Sequence, residues 1–338
     1  MRIVKVLSLL AVLLAVASMA IGAGQVLLNA AGATFPYPIY SKWFDLYHQA
    51  HPNVQINYQS IGSGGGIRQL QDKTVDFGAS DGPMNDEQLK QSSVPILHFP
   101  TVLGADVPSY NLPGVNAELN FTPEALAGIF LGRITKWNDP AIASANPGVK
   151  LPSEDIVVVH RSDGSGTTYI WTDYLSKISP EWQKNVGKAT SVNWPVGLGG
   201  KGNEGVAGLV RQTPDSLGYI ELIYAIQNKI AYGRVKNSSG VFVKADLASV
   251  SAAAAMKGIP DDFRVSITNP EGKAAYPISS FTWLLIPAKF SDTAKRDVVK
   301  DFLKWMLTDG QQYSEALSYA KLPKEVVAKE MKAIAQIQ

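Results

Sequence analysis

The chain contains no cysteine, and this absence removes several kinds of chemistry. Without cysteine there is no disulfide, no thiolate metal ligand and no thiol nucleophile. An N-terminal lipid attached through cysteine is excluded for the same reason. A chain of this length can fold without disulfides because it can bury a sufficiently large core.

Histidine is scarce, and so is net charge. The four histidines show no metal-ligand spacing, so no metal ion or other cofactor is expected. The sequence has 31 Lys+Arg and 29 Asp+Glu, and loss of Arg2 and Lys5 with a leader would balance the two signs. Nucleic-acid binding normally needs a basic excess, so a nucleic-acid partner is not expected. Any anion binding must come from local geometry.

The glycine-rich runs lack the spacings of known nucleotide and hydrolase motifs. Gly62 to Gly66 lacks the dinucleotide pattern, and Gly197 to Gly202 lacks the Walker A pattern. Gly164-Ser165-Gly166 is not a nucleophile elbow because Asp163 occupies the position of the first glycine. The sequence therefore gives no support for an enzyme.

Residues 1–23 have the pattern of a signal peptide. Arg2 and Lys5 precede an apolar run from Leu7 to Ala17, and Ser18-Met19-Ala20 or Ala20-Ile21-Gly22 supplies a small-residue cleavage site. The apolar run is too short for a transmembrane helix. We therefore expect an exported protein, and the remaining length favours two domains.

Strand-like and helical patterns alternate along the chain, which is typical of α/β architecture. Two apolar, strand-like stretches lie far apart, at Ile96 to Leu103 and at Ser280 to Ile286. They could carry the chain out to a second domain and back. We therefore expect a discontinuous first lobe, residues 24–104 with 279–338, and a second lobe, residues 105–278.

The most informative motif is the run from Asp163 to Thr168. It follows the apolar run Ile156 to Val159 and precedes a helical pattern. A strand, a Gly/Ser turn and a helix start form a cradle for an anion, since free N–H groups and the positive end of the helix dipole face outward. Arg161, just upstream, has a planar fork that suits a tetrahedral oxyanion. The motif indicates phosphate, but it does not say whether phosphate is bound or transformed.

Two other segments share this design. Thr34-Phe35-Pro36 opens one predicted helix, and Ser63 with Gly64 to Gly66 opens another. Taken alone, each is more often simply a capped helix, and it is their combination with Arg161 and Asp163 that favours a ligand site. Asp81 ends a predicted strand and is open to a second interpretation as a turn-forming residue.

Six runs of the sequence carry a resemblance to a known family. In order, they are Gly32–Pro36, Tyr58–Ser63, Val75–Asp81, Phe99–Val102, Arg161–Thr167 and Trp194–Asn203. On these runs the chain resembles the PstS family, the periplasmic phosphate-binding proteins of high-affinity ABC phosphate transporters. The resemblance implies a two-lobed, type II-like periplasmic-binding-protein fold, hinged by crossover strands, that captures inorganic phosphate in an interlobe cleft.

The resemblance also implies partners and a location. The protein would be a periplasmic monomer without cofactor or catalytic activity. It would deliver phosphate to a membrane ABC permease served by a cytoplasmic ATPase.

Carried over by position, the resemblance implies nine phosphate contacts: Thr34, Phe35, Ser63, Asp81, Arg161, Asp163, Ser165, Gly166 and Thr167. Thr34, Ser165 and Thr167 would donate hydroxyl hydrogen bonds, and Phe35 and Gly166 would donate from the backbone. Arg161 would be the only cation on the phosphate, held in place by Asp163. Asp81 would accept a hydrogen bond from a protonated phosphate oxygen.

Two departures from the family pattern stand out. Gly64 follows Ser63 where some relatives have serine, which removes one hydroxyl. Pro108, within the run Asp106 to Tyr110, predicts a sheet edge or a break near the hinge.

The sequence leaves two rival functions open. An exported phosphatase would need a metal cluster or an activated nucleophile, and Ser165 has no recognisable base. A sulfate- or molybdate-binding protein is disfavoured by Asp81, since a fully deprotonated oxyanion would meet that carboxylate with no proton between them.

Overall fold

A computed structural model describes residues 24–255 and 258–338 of the chain. The predicted signal peptide, residues 1–23, therefore lies outside the described residues. Within the described part, no helix is both long and apolar enough to cross a membrane.

The described residues contain twelve strands. They are β1 (Val26–Gly32), β2 (Val54–Ser60), β3 (Phe77–Ser80), β4 (Ile96–Asn111), β5 (Asn120–Phe121), β6 (Val157–Arg161), β7 (Leu198–Gly200), β8 (Ser216–Glu221), β9 (Ala231–Tyr232), β10 (Arg234–Lys236), β11 (Phe242–Val243) and β12 (Ser279–Pro287).

Twelve α-helices alternate with these strands. They are α1 (Tyr37–Ala50), α2 (Ser63–Gln71), α3 (Asp86–Gln91), α4 (Pro123–Phe130), α5 (Pro140–Ala143), α6 (Gly166–Ile178), α7 (Pro180–Asn185), α8 (Gly202–Gln212), α9 (Leu222–Gln227), α10 (Leu247–Ala253), α11 (Thr293–Leu307) and α12 (Lys324–Ala333). Short 3-10 turns follow α11 and α12, at Gly310–Tyr313, Glu315–Leu317 and Ile334–Gln336.

One long sheet runs through the molecule in the order β2-β1-β3-β12-β4-β8-β6-β7, with β9 also paired to β4. The strand triplet β2-β1-β3 is parallel, and so is the triplet β8-β6-β7. Between these triplets, β12 and β4 pair antiparallel with each other and with their outer neighbours. A small separate sheet has the order β11-β10-β5.

The strand β4 belongs to both halves of the long sheet. Up to Ala105 it pairs with β12, and from Asp106 onward it pairs with β8. We call the half with β1, β2, β3 and β12 the first lobe and the half with β6, β7, β8 and β9 the second lobe. The predicted two-lobed α/β fold with crossover strands is confirmed.

Pro108 does not break β4. It pairs with Tyr219 of β8, and its carbonyl accepts a hydrogen bond from Gly233 N at 3.0 Å, on the side away from β8. In an antiparallel pair the N and C=O of one residue point to the same side. The missing N–H of proline therefore costs no hydrogen bond to β8. Both predicted possibilities, a sheet edge and a break, are wrong, because β4 continues through Pro108 with β8 on one side and the residues of and next to β9 on the other.

The first lobe packs its helices on the sheet through apolar faces. Helix α1 buries five side chains at helical spacing, Ile39, Tyr40, Trp43, Phe44 and Tyr47. Helix α11 buries a second stripe, and its Phe302 ring meets Phe44 with centroids 5.4 Å apart. This packing fixes both helices against the sheet whose strands β1 and β3 lead into the polar residues.

Candidate anion-binding site

Three of the predicted contacts lie at the carboxyl ends of parallel strands. Thr34 comes soon after β1, Asp81 directly after β3, and Arg161 is the last residue of β6. Ligands of open α/β sheets bind at this edge. The sequence signal lay in the change from apolar to polar residues at each strand end.

Arg161 and Asp163 form a bidentate ion pair in the second lobe. Arg161 Nε donates to Asp163 Oδ1 at 2.7 Å, and Nη2 donates to Oδ2 at 2.6 Å. The Arg161 side chain is 1% exposed and that of Asp163 is 13% exposed. Burial raises the pKa of Asp163, but the hydrogen bonds and charge of Arg161 outweigh it and hold the pKa below its ordinary value. The carboxylate thus fixes the guanidinium plane, as predicted for the pair.

Helix α6 begins beside this ion pair. Ser165 is its N-cap, with Oγ accepting from Thr168 N at 3.0 Å. The first N–H groups of a helix have no partner within it, so Gly166 and Thr167 present donors at this end. Thr167 Oγ1 accepts from Arg161 Nη1 at 3.2 Å, which joins the helix start to the cation. Ser165, Gly166 and Thr167 are all buried.

Thr34 and Phe35 approach from the first lobe. Both are buried, and the Thr34 carbonyl accepts from Tyr224 of the second lobe at 2.6 Å. The Phe35 ring packs against Gly104 of β4, where a Cβ would lie 2.5 Å from the ring. The Phe35 carbonyl accepts from Tyr319 at 2.6 Å. These contacts leave the Thr34–Phe35 backbone little freedom.

Ser63 and Asp81 complete the first-lobe side. Ser63 opens α2, and its Oγ accepts from Asp81 N at 3.2 Å. Asp81 Oδ1 accepts from Thr282 at 2.8 Å, whereas Oδ2 is buried and has no hydrogen-bond partner among the described residues. Burial raises the pKa of Asp81 to about 7, against the opposing effects of the Thr282 hydrogen bond, the Arg161 charge and the Ser63 hydrogen bond. Asp81 can therefore hold or release a proton near neutral pH.

The two sides meet closely. A Cβ placed on Gly166 would collide with Ser63 Oγ and lie 2.5 Å from Asp81 Oδ2. Gly64 N donates to the Gly164 carbonyl at 2.9 Å, so the two glycine-rich loops join across the cleft. The structure therefore brings all nine predicted residues into one buried, polar cleft between the lobes.

Sequence reasoning missed two polar residues of this cleft. Asn203 is fully buried and donates to both Thr34 Oγ1 and Thr167 Oγ1. It directly follows the glycine-rich run Gly197 to Gly202, and this position at a helix start could have identified it. Thr282 donates to Asp81 from an apolar strand, and nothing in its local sequence distinguishes it.

Two further acids lie beneath the cleft where β4 changes partner. Asp106 and Glu221 are directly opposite each other in the β4–β8 pair, and both are fully buried. Burial raises the pKa of each carboxyl well above its ordinary value, and the nearby Asp81 charge acts in the same direction. These acids are therefore held neutral more readily than exposed ones. Nowhere in 24–255 or 258–338 do three or more His, Asp or Glu residues form a group able to hold a metal ion.

A two-lobed α/β fold with a buried cleft of anion donors defines a solute-binding protein of the periplasmic-binding-protein class. A family model described as a PBP superfamily domain matches residues 19–310. A phosphate-binding protein PstS of Xylella fastidiosa is 46% identical over 306 residues, covering 90% of this chain and 83% of that protein. The PstS protein of Pasteurella multocida is 47% identical over 305 residues, covering 89% and 88% respectively. The chain belongs to the PstS family of phosphate-binding proteins.

A solved structure shares the fold at much lower identity. It is a high-affinity periplasmic phosphate-binding protein, PfluDING, bound with phosphate at pH 8.5. The TM-score is 0.72 at 21% identity, with 91% of this chain and 93% of that chain covered. At this identity the comparison supports the fold alone.

Proposed function

We propose that this protein captures inorganic phosphate in its interlobe cleft and delivers it to a membrane ABC permease with a cytoplasmic ATPase. Membership of the PstS family supports the phosphate ligand. One geometric observation carries the assignment to this cleft: the Arg161 cation and the start of α6 face the unpartnered Asp81 Oδ2 from the opposite lobe. The relatives are named as binding proteins, in agreement with the expectation that the chain is not an enzyme.

In this proposal, the ligand contacts are the nine residues predicted from the sequence. Thr34, Ser63, Ser165 and Thr167 supply hydroxyls, and Phe35 and Gly166 supply backbone N–H groups. Arg161 supplies the single positive charge, with its plane set by Asp163. Charge-assisted hydrogen bonds in a cleft shielded from water contribute more than the same bonds in solution.

Asp81 is the selective element in this proposal. Phosphate near neutral pH carries at least one proton, which it can donate to Asp81 Oδ2. Sulfate carries none, so it would meet an ionised Asp81 as a like charge in a buried site, which costs several kcal/mol. A repulsive group placed against the wrong ligand is a general route to specificity.

We also propose how the chain is divided and where it works. The first lobe comprises residues 24–104 and 279–338, the second comprises residues 105–278, and the change of partner along β4 supports a hinge between them. Closure of two lobes on a ligand is a hinge motion. Residues 1–23 direct export, and the mature protein works as a monomer in the periplasm.

Calorimetric titration of the mature protein with phosphate, sulfate and molybdate tests the proposal. We expect tight binding of phosphate alone. Equal binding of sulfate, or no heat with phosphate, would contradict the assignment.

A further inference from the structure

We infer that Asn203 fixes the hydroxyls of Thr34 and Thr167 as hydrogen-bond donors, so that both can only donate to the ligand. This inference rests on the proposed phosphate site, since it assigns a positioning role to a residue that is not itself among the nine proposed contacts. It follows from the hydrogen-bond capacity of the atoms involved.

The Thr34 hydroxyl has no free acceptor position. A hydroxyl oxygen carries one hydrogen and two lone pairs. Thr34 Oγ1 accepts from Asn203 Nδ2 at 2.8 Å and from Asn203 N at 3.2 Å. Both lone pairs are thereby used, and the remaining function of the group is to donate its own hydrogen.

The Thr167 hydroxyl is in the same state. Thr167 Oγ1 accepts from Asn203 Nδ2 at 3.0 Å and from Arg161 Nη1 at 3.2 Å. Its O–H is therefore also restricted to donating. One amide group thus sets the direction of two hydroxyls, one from each lobe.

The orientation of the Asn203 amide is itself determined. Asn203 Oδ1 accepts from the backbone N–H of Glu221 at 2.9 Å. A flipped amide would place its NH₂ group against the Glu221 N–H, so that two donors would face each other. Its oxygen would then lie beside the Thr34 and Thr167 hydroxyls, which would turn to donate to it. Because Asn203 is fully buried, water cannot replace the lost bonds.

The consequence for the ligand concerns its proton. A donor-only hydroxyl can bind an unprotonated phosphate oxygen but cannot accept from P–OH. Asn203 therefore excludes the ligand proton from the Thr34 and Thr167 positions and favours its placement toward Asp81 Oδ2. This is a role in orientation and selectivity, exerted without direct contact with the ligand.

A double-mutant cycle on phosphate affinity tests this role. We expect Asn203→Ala to weaken binding about tenfold, which is the effect of about one hydrogen bond. In the Thr34→Val background the same change should weaken binding at least about threefold less, because one of its two target hydroxyls is gone. Asn185→Ala, on the exposed end of α7, serves as the matched control and should leave affinity unchanged. Additive losses would assign Asn203 a merely structural part and overturn the inference.

Asn203→Asp provides a second, isosteric variant should the alanine variant fold poorly. Its carboxylate accepts hydrogen bonds from the two hydroxyls instead of donating to them, so the hydroxyls no longer donate to phosphate. Phosphate affinity at pH 8 should therefore fall at least about 100-fold, the equivalent of two charge-assisted bonds. Relative to the parent protein, affinity should recover as pH is lowered and the introduced carboxyl takes up a proton. A loss that equals that of the alanine variant at every pH would contradict the inference.

Arg161→Ala separates the inference from the proposed function. If this variant keeps parental affinity, the phosphate site itself is misassigned. If it loses affinity while both Asn203 variants bind as the parent does, the site stands and the role of Asn203 is wrong.

Discussion

Gly166 and Asp81 face each other across the cleft with no room between them for a methyl group. A Cβ on Gly166 would lie 2.5 Å from Asp81 Oδ2, although the two residues belong to different lobes. The N-terminal end of α6 therefore stands directly against a buried carboxyl group. The start of α6 presents hydrogen-bond donors and the Asp81 carboxyl group presents acceptors, and the two lie next to each other in the cleft.

Gly166→Ala is expected to block this approach. The added methyl would force the lobes apart, since it overlaps Ser63 as well as Asp81. Phosphate affinity should fall at least about 100-fold if two or more charge-assisted bonds are lost. Calorimetry would measure the loss. Gly208→Ala, in α8 with open space around it, is the control and should bind phosphate normally.

Arg161→Ala should weaken phosphate binding by about 1.5–3 kcal/mol or more, because it removes the one cation proposed at the anion. Arg161→Lys should restore binding only in part, since lysine lacks the planar fork. Arg133→Ala removes an exposed arginine whose partner is Glu181 and serves as the control. Near-parental affinity of the alanine variant in calorimetry would exclude the assigned site.

Asp81→Asn should reduce discrimination against sulfate. The amide can donate or accept, so it removes the like-charge contact while keeping a group that phosphate can use. Phosphate binding should survive, and competition titrations should show sulfate competing more effectively than in the parent. If the variant rejects sulfate as firmly as the parent does, selectivity resides elsewhere and Asp81 is only a turn residue.

Asp81 should also make stability depend on pH in the phosphate-free protein. Its native pKa is raised to about 7, above an unfolded value of about 3.9. Between these values the native state holds a proton that the unfolded chain releases, so this contribution to the free energy of unfolding falls as pH rises and levels off above pH 7. Asp81→Asn lacks this effect and should gain stability relative to the parent from pH 4 to pH 7.

The size of the stability gain of Asp81→Asn follows from the pKa shift of Asp81. One unit of pKa corresponds to about 1.4 kcal/mol, so the full difference is on the order of 4 kcal/mol. Urea unfolding of both proteins across this range measures it. A constant difference in unfolding free energy at all pH values would contradict a proton held by Asp81.

Phosphate is expected to close the two lobes. The direct bond from Gly64 N to the Gly164 carbonyl joins loops of different lobes, and it can form only when the lobes approach. Small-angle scattering should therefore give a smaller radius of gyration with phosphate than without it. An identical profile at saturation would indicate a rigid pocket.

Local patterns made much of this fold predictable. The apolar residues of α1 recur at helical spacing in the sequence, and the structure buries all five of them. The stretches Ile96–Leu103 and Ser280–Ile286 were expected to cross between lobes, and they pair with each other as parts of β4 and β12. Composition and periodicity were sufficient in these cases because each element buries its own apolar residues.

The missed features depend on residues that are distant in sequence. Thr282 reaches Asp81 only because β12 lies next to β3. Asn203 acts on Thr34, which is 169 positions away. Asp106 lies in the long strand β4, and its burial opposite Glu221 follows from sheet register. No local pattern specifies such pairings.

The sixteen-residue strand β4 also has a consequence for how the molecule opens and unfolds. Its backbone hydrogen bonds hold strands of both lobes, so neither half of the long sheet can come apart without exposing part of this strand. Amide hydrogen exchange along β4 should consequently occur only through global unfolding, at one common rate-determining free energy, whereas the loops at the cleft exchange independently. Hinge bending and loss of the native structure are thus distinct processes in this chain, because hinge bending leaves β4 protected and only global unfolding exposes it.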